Sequence, residues 1–193
     1  MNKLKKIMIA SDLHGSSFYV EKMFDTYKSE NCDTLILLGD ILYHGPRNDL
    51  PDGYEVRKVA EILNSIASNI IAIRGNCDGE VDQTLLNFPI MQDNAIISID
   101  GYNFFATHGH VYNENNLPAY KNIDVLLNGH FHVPCFKRYE NYVYVNCGSV
   151  SIPKQNSCHS AIIYEDKKFK FLDLLKSKKE MIYREEDLVE KNM

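Results

Sequence analysis

The sequence lacks any apolar run long enough to cross a membrane. A membrane-spanning helix needs about 20 consecutive apolar residues, whereas the first apolar run covers residues 7–10 only. That run is also too short for the hydrophobic segment of a signal peptide, and it leads directly into a polar motif. We therefore expect a cytoplasmic protein with no membrane partner.

Cys-x-x-Cys pairs are also missing, which excludes the usual thiolate frame of a structural zinc site. An odd number of cysteines in a chain without a signal peptide is typical of free thiols rather than of a disulfide framework. The five cysteines are Cys32, Cys77, Cys135, Cys147 and Cys158.

Basic residues are not in excess. The chain has 21 Lys and Arg against 26 Asp and Glu, a formal net charge of -5. This balance argues against a broad nucleic-acid-binding face, although it does not exclude a small local phosphate site.

The chain has 193 residues, enough for one domain with a single large core. We place this domain at residues 1–175 and treat residues 176–193 as a charged C-terminal tail, either a short surface helix or a frayed end. In the first half, uninterrupted apolar runs predict buried strands at residues 6–10, 34–38 and 69–74.

Amphipathic helices are predicted between these strands. Ser16 or Ser17 can cap the first helix, and Asp52 with Glu55 resembles a capping box for the second. The apolar face of the first helix is predicted to be Val20, Met23, Phe24 and Tyr27. Alternating strands and helices predict a parallel sheet covered by helices.

After Pro89 the pattern changes to short strands and tight turns, beginning with a hairpin at Asp100-Gly101. A second sheet should therefore pack on the first, and the fold class is α/β. The strands of this half are predicted at residues 95–99, 103–107, 125–128, 135–139, 142–146, 161–164 and 169–172.

Polar motifs follow directly on five of the apolar runs. In open α/β sheets, ligands bind beyond the carboxyl ends of the strands, so motifs in this position should converge on one site. The five motifs are Asp12-Leu13-His14-Gly15, Gly39-Asp40, Gly75-Asn76-Cys77-Asp78, Thr107-His108-Gly109-His110 and Gly129-His130-Phe131-His132. The two histidines separated by Phe131 predict a strand end or a tight loop. Its period-2 geometry should turn both imidazoles to one side and Phe131 the other way, into packing.

Carboxylate, amide and imidazole side chains without thiolate pairs form a mixed oxygen and nitrogen site, which suits Mn, Fe, Ni or Zn. The motifs supply more ligands than one tetrahedral ion can use, so two metal ions that share one carboxylate fit better. The candidate ligands are Asp12, His14, Asp40, Asn76, His108, His130 and His132.

Charge indicates the substrate of such a site. Two divalent ions, the carboxylates of Asp12 and Asp40 and one hydroxide leave about one positive charge in the cleft. An anionic phosphoryl group fits this charge, and a metal-bound hydroxide can attack its phosphorus in line. The expected reaction is hydrolysis of a phosphoester.

The motifs, in this order, resemble those of the calcineurin-like metallophosphoesterases, and in particular a branch of small bacterial phosphodiesterases within that family. The resemblance runs from Asp12 to Ser151 and implies a two-sheet α/β/β/α sandwich. It implies that Asp40 bridges two ions, of which one is held by Asp12, His14 and His132. The other ion would be held by Asn76, His108 and His130. Manganese is the usual ion of this branch, with Ni, Zn, Fe or Mg as alternatives.

Cys77 departs from the wider family, which commonly carries His at this position to assist the leaving group. A thiol is a poor proton donor for an alkoxide, so we expect a preference for small phosphodiesters or aryl phosphates. Asp78 is included among the catalytic candidates together with Asp40, Asn76 and Cys77. Arg47 is either a phosphate contact or a surface salt bridge.

Several alternatives stay open. His44 and His110 are either functional or solvated loop residues, whereas Cys147 and His159 are assigned to structure. Some proteins of this fold are non-catalytic scaffolds, and a nuclease would share the chemistry. The complete set of seven metal-competent positions favours an enzyme, which could form a homo-oligomer.

Overall fold

Two β-sheets pack face to face in the computed structural model, which describes residues 6–175 and 185–188. The first sheet has six strands in the order β11-β10-β9-β1-β2-β3. Strands β1, β2 and β3 are parallel, whereas β9, β10 and β11 join antiparallel. The bounds are β1 Ile7–Ala10, β2 Thr34–Leu37, β3 Ile70–Ala72, β9 Ser160–Glu165, β10 Lys168–Asp173 and β11 Glu185–Asp187.

The second sheet has five strands in the order β4-β5-β6-β8-β7. Its three inner strands, β5, β6 and β8, run parallel to one another. The predicted hairpin forms β4 and β5, with Asp100 and Gly101 at its turn. The bounds are β4 Asn94–Ile99, β5 Tyr102–Thr107, β6 Val125–Asn128, β7 Cys135–Arg138 and β8 Val143–Asn146.

Strand β1 is buried on both faces because it separates two cores. Met8 and Ala10 lie in the core beneath the helices α1 (Ser17–Ser29) and α2 (Val56–Asn64). Ile7 and Ile9, at the alternate positions, lie in the core between the two sheets. This double burial explains why the strand is a continuous apolar run rather than an alternating one.

A short third helix, α3, covers Glu80–Gln83.

The predicted Ser16 cap of α1 is confirmed, since its hydroxyl accepts a hydrogen bond from the backbone N–H of Tyr19. The predicted Asp52 and Glu55 capping box of α2 is wrong. Glu55 is the residue before the helix, and no side chain caps it. The Asp52 carboxylate instead accepts a hydrogen bond from the Tyr19 hydroxyl at 3.2 Å, so it joins the loop before α2 to α1.

The predicted two-sheet sandwich of the α/β class is confirmed. Phe105, Leu126 and Tyr144 form the outer face of the second sheet, and they pack against Tyr112 and Ile123. In the described residues this outer layer is therefore built from loop segments, whereas helices cover the first sheet.

Most of the tail at residues 176–193 lies outside the described residues. The exception is β11 with the residue after it, and β11 pairs antiparallel with β10. The sequence pattern predicted a helix or a frayed end here, whereas this short piece adds a strand to the sheet edge. The domain boundary at residue 175 stays a prediction. None of the helices in the described part of the chain is long and apolar enough to cross a membrane.

Candidate dinuclear metal centre

The five polar motifs lie at one edge of the sandwich because parallel strands of both sheets end there. Asp12 follows β1, Asp40 follows β2, and Asn76 follows β3 in the first sheet. His108 follows β5, and the loop of His130 follows β6 in the second. The structure thus brings the five motifs together at one site, as the strand pattern predicted, and the two sheets contribute its two sides.

The carboxylate of Asp12 is fully buried and has two different roles. Its Oδ2 accepts a hydrogen bond from the backbone N–H of His130 at 2.9 Å. Its Oδ1 lies 3.1 Å from Nε2 of His132 and 3.6 Å from Nε2 of His14. Neither Asp12 Oδ1 nor His14 Nε2 has a hydrogen-bond partner among the described residues. A buried oxygen and a buried nitrogen without partners are costly in a folded protein, and a cation between them would satisfy both.

Asp40 lies between the two groups of histidines. Its Oδ2 is 3.5 Å from Nε2 of His108 and 3.8 Å from Nε2 of His14. Its Oδ1 accepts the backbone N–H of Cys77 at 2.7 Å. One oxygen is therefore fixed by the backbone, while the other faces histidines on both sides.

Three of the histidines are oriented by backbone carbonyl groups. Nδ1 of His14 donates to the carbonyl oxygen of Tyr43 at 2.9 Å, and Nδ1 of His108 donates to that of Leu38 at 2.6 Å. Nδ1 of His132 donates to the carbonyl oxygen of Ile152. With Nδ1 used by the carbonyl, Nε2 is the nitrogen turned toward the carboxylates, where it can bind a metal ion when the ring is neutral. This is the arrangement by which proteins fix metal-binding imidazoles.

His130 differs from the other three because its Nδ1 faces the site. This nitrogen lies 3.2 Å from Nε2 of His108, which in turn lies 3.1 Å from Oδ1 of Asn76. Since His108 already uses Nδ1 as a donor, its Nε2 presents a lone pair in the neutral ring. Two nitrogens and an amide oxygen that converge in this way suit a second cation.

The ligand loops have unusual backbone geometry. Asp12, His14, Asp40, His130 and His132 have φ values of 57°, 46°, 53°, 64° and 58°. Left-handed conformations are costly for residues other than glycine, and such strain concentrates at functional sites. Of the two expected alternatives, the structure has the tight loop, because β6 already ends at Asn128. The period-2 geometry expected for His130 and His132 is wrong, since both residues are left-handed.

Electrostatics favour charged carboxylates in this buried site. Burial alone would raise the pKa of Asp12, but the neighbouring His132 and His14 hold it well below its ordinary value. Burial likewise opposes ionisation of Asp40, whose pKa is lowered by His108. Burial would lower the pKa of His108, yet Asp40 and Asp12 raise it to about 9. A negative pair of carboxylates is thus available to bind positive charge.

Asp78 faces backbone groups rather than the open cleft. Its carboxylate accepts the backbone N–H groups of Asp40 and Ile41, both at 2.8 Å, and of Gly75 at 2.7 Å. The side chain is almost completely buried. It therefore ties the loop after β2 to the loop after β3.

A cleft of about 470 Å³ opens over the site, and Arg47 lines it together with Cys77. Phe131 lines it too and is 42% exposed, so the expectation that Phe131 turns into packing is wrong. The ring is flanked by His130 and His132, whose left-handed conformations remove the alternation of an extended strand.

Lys154 also lines the cleft, and the sequence motifs did not indicate it. Its backbone N–H donates to the carbonyl oxygen of His132 at 3.1 Å. The only signal in the sequence is a lysine in the polar segment that follows an apolar strand, which is too common to single out.

Cys77 is half-buried, and its sulfur accepts a hydrogen bond from Nδ2 of Asn76 at 3.2 Å. Burial, and then the charge of Asp40, raise the pKa of the Cys77 thiol to about 12.

The His110 ring lies 5.4 Å from that of His108 and 6.1 Å from that of His130, measured between centroids. His44 packs edge-on against Tyr54.

Comparison with known proteins shows which family this chain resembles. The model of the calcineurin-like phosphoesterase superfamily domain matches residues 6–168. The chain is 46% identical over 151 residues to phosphodiesterase YfcE of Escherichia coli strain K12, which covers 78% of this chain and 82% of that protein.

Solved structures agree with this result. The structure of the phosphoesterase YfcE from E. coli matches with a TM-score of 0.89 at 39% identity, over 95% of this chain and 100% of that chain. Vps29 from Entamoeba histolytica, complexed with zinc, matches with a TM-score of 0.59 at 17% identity, over 86% and 89% of the two chains. At that identity the second match shows the fold alone.

Proposed function

Because the chain belongs to the calcineurin-like phosphoesterase superfamily, we propose that it is a metal-dependent phosphodiesterase that hydrolyses small phosphodiesters. The observation that carries this proposal is the buried pair of atoms without hydrogen-bond partners, Asp12 Oδ1 and His14 Nε2. They lie among histidines whose Nδ1 atoms are already used by carbonyl groups. These atoms support a bound cation, and hydrolysis by the metal-loaded protein separates an enzyme from a non-catalytic scaffold of the same fold.

Two divalent ions fit the donor set. One would be held by Asp12, His14 and His132, and the other by Asn76, His108 and His130, with Asp40 shared between them. When bound, the ions supply Lewis-acid chemistry, which offsets the charge of the phosphate group and makes a water molecule acidic enough to attack phosphorus near neutral pH. We propose manganese as the native metal because it is the usual ion of the branch that this chain resembles. Metal availability in the cell, rather than affinity, decides which ion occupies a mixed site of oxygen and imidazole ligands.

The residues of the cleft wall bind and orient the phosphate. Arg47 and Lys154 are both exposed and both line the cleft, so their positive charges can attract the anionic group. Arg47 can also bind two phosphate oxygens at once, which would fix the orientation of the ester. Asp78 acts as a positioning residue for Asp40 through their shared backbone hydrogen bond.

The leaving group determines which esters react well. The raised pKa of Cys77 keeps its thiol protonated, but a thiol of such high pKa gives up a proton poorly. Leaving groups that depart without a proton, such as aryl oxides, should react fastest. We therefore propose aryl or otherwise activated phosphodiesters as good substrates, and alkyl phosphomonoesters as poor ones.

The test compares the metal-free protein with the protein loaded with manganese, nickel, zinc or magnesium. Hydrolysis of a bis-aryl phosphodiester should need added metal, be highest with manganese and exceed that of an alkyl phosphomonoester. Asp40→Ala should abolish hydrolysis, since it removes the oxygen shared by both ions. Wild-type activity of that variant, or of the metal-free protein, would contradict the proposal.

A small substrate is favoured over a nucleic acid, as the net charge of -5 provides no long cationic track. Hydrolysis of single-stranded DNA faster than of small diesters would favour a nuclease instead.

We further propose a cytoplasmic location, which the free state of all five cysteines supports. A homo-oligomer is also proposed, and light scattering of the purified protein measures it.

A further inference from the structure

A second groove adjoins the metal cleft. It has a volume of about 480 Å³, and Arg47 and Asn48 line both spaces. On the opposite side, Pro153 lines the second groove, while the next residue, Lys154, lines the metal cleft. A molecule bound at the metal centre could therefore extend past Arg47 into this groove.

Beyond Arg47, the walls of the second groove combine apolar and acidic groups. Leu50 lines it and is 61% exposed, so its side chain is available for apolar contact with a ligand. The ring of His159 stacks on Tyr19 with 3.9 Å between centroids and provides a rigid aromatic wall. Asp49 and Asp52 are both exposed and supply two carboxylates.

The groove is held in a fixed position relative to the proposed metal ligands. The carbonyl oxygen of Ile152, which lines the groove, accepts the hydrogen bond from Nδ1 of His132. The hydroxyl of Ser151 donates to the carbonyl oxygens of Asp12 and Leu13 at 3.0 and 2.8 Å. One short segment therefore orients ligands on one side and forms the groove wall on the other.

We propose that this groove binds the substituent that stays on phosphorus after hydrolysis, and that it selects an apolar or cationic substituent over an anionic one. The inference rests on the proposed phosphodiesterase function. The leaving oxygen gains negative charge in the transition state, which Asp49 and Asp52 would disfavour. The retained arm gains no charge, so it is the arm that suits an acidic groove. Leu50 offers apolar contact to the same arm.

The test uses four p-nitrophenyl phosphodiesters that share one leaving group and differ only in the second arm, which is ethyl, phenyl, choline or 2-carboxyethyl. With the manganese-loaded protein, the phenyl and choline esters should have KM values about threefold to tenfold below that of the ethyl ester. The carboxyethyl ester should have a KM above it. Because the leaving group is constant, the differences should appear in KM more than in kcat.

Two sets of variants connect these differences to the groove. The double variant Asp49→Asn, Asp52→Asn should bring the KM values of the choline and carboxyethyl esters together, and the matched control Asp25→Asn removes an exposed carboxylate elsewhere. Leu50→Ser should raise the KM of the phenyl ester about threefold or more. Its control, Val81→Ser, changes an apolar residue that is 78% exposed outside both spaces.

Each outcome has a distinct meaning. Hydrolysis of all four esters with the same KM would overturn the groove proposal and leave the phosphodiesterase proposal intact. The same holds if the arm preference persists in the double Asn variant or is lost equally in Asp25→Asn. If no ester is hydrolysed with any metal, the proposed function fails and the groove proposal fails with it.

Discussion

Nε2 of His132 lies 3.1 Å from Oδ1 of Asp12, while Oδ2 of the same carboxylate accepts the backbone N–H of His130. One aspartate of the first sheet therefore contacts both histidines of a loop in the second sheet. The two rings then diverge, because His132 stays beside Asp12 and His130 faces His108. This geometry supports the proposal that the two histidines serve different metal ions.

His132→Ala should remove mainly the ion assigned to Asp12, and His130→Ala mainly the one assigned to Asn76. Each variant should bind close to one equivalent of manganese, and activity should fall at least about a hundredfold, since removal of even an outer-shell partner costs ten- to hundredfold. Elemental analysis after equilibrium dialysis measures the stoichiometry. The control is His159→Gln, a change outside the ligand set, and it should keep the wild-type metal stoichiometry. Loss of both ions in both variants would contradict the division.

Glycine should be essential at position 75, because a side chain added there would point at Asp40. A Cβ added there would meet the Asp40 carboxylate and the Asp40 backbone nitrogen at less than contact distance. We expect Gly75→Ala to displace Asp40 and to reduce metal binding and activity at least about tenfold. Thermal unfolding and manganese titration measure the two effects.

Gly79→Ala is the matched control, since its Cβ would meet only Asp82 Oδ2, at the ordinary distance of 3.7 Å. It should keep wild-type metal affinity. Equal manganese affinity of the two alanine variants would contradict this prediction. It would mean that Asp40 can move away from the added Cβ without loss of metal binding.

Asp78 should contribute to stability as well as to the geometry of Asp40. The wild-type carboxylate accepts three backbone N–H groups through its two oxygens. Asp78→Asn keeps the shape of the side chain, but the amide has only one oxygen that can accept. We expect a loss of about 2 kcal/mol in the free energy of unfolding, because at least one buried donor loses its acceptor. Urea unfolding of the metal-free protein measures this without interference from bound ions.

Asp25→Asn, on the exposed surface of α1, should change the free energy of unfolding by less than about 0.5 kcal/mol. Equal stability of the Asp78 and Asp25 variants would show that the three backbone hydrogen bonds are not needed. Lower activity of Asp78→Asn with unchanged stability would instead indicate a direct role in the reaction.

Much of the site could be predicted because it lies where buried strands end. β1 and β2 are continuous apolar runs, so Asp12 and Asp40 stand out as the first charged residues after them. Parallel pairing then brings the two together, since Ala10 pairs with Leu37 in the register of the sheet. Local pattern and general sheet geometry are sufficient for this step.

The loops could not be predicted in the same way. The direction of Phe131 depends on the left-handed conformations of its neighbours, which the motif Gly-His-Phe-His does not reveal. Lys154 enters the cleft because its segment is bound to the carbonyl oxygen of His132, a contact between distant parts of the chain. The second groove likewise depends on how the loop of Leu50 meets Pro153.

Glu30 should stabilise the fold through two ion pairs that join the end of α1 to the first sheet. Its carboxylate lies 2.9 Å from the Nζ atoms of both Lys6 and Lys170, which are on different segments. These hydrogen bonds and charges lower the pKa of Glu30. A carboxylate whose pKa is lower in the folded state stabilises above its unfolded pKa, and the stabilisation disappears as the pH falls through the folded pKa.

Glu30→Gln should therefore cost about 1 kcal/mol near neutral pH, a value already reduced for partial exposure, and almost nothing in acid. Melting temperatures of wild type and variant, compared from about pH 7 down to the acid limit of folding, measure this convergence. Glu21→Gln removes a pair with Lys58 whose side chains are both 46% exposed, and it should have a smaller effect at every pH. A Glu30→Gln deficit that stayed constant with pH would mean that the carboxylate charge does not stabilise this contact between α1 and the first sheet.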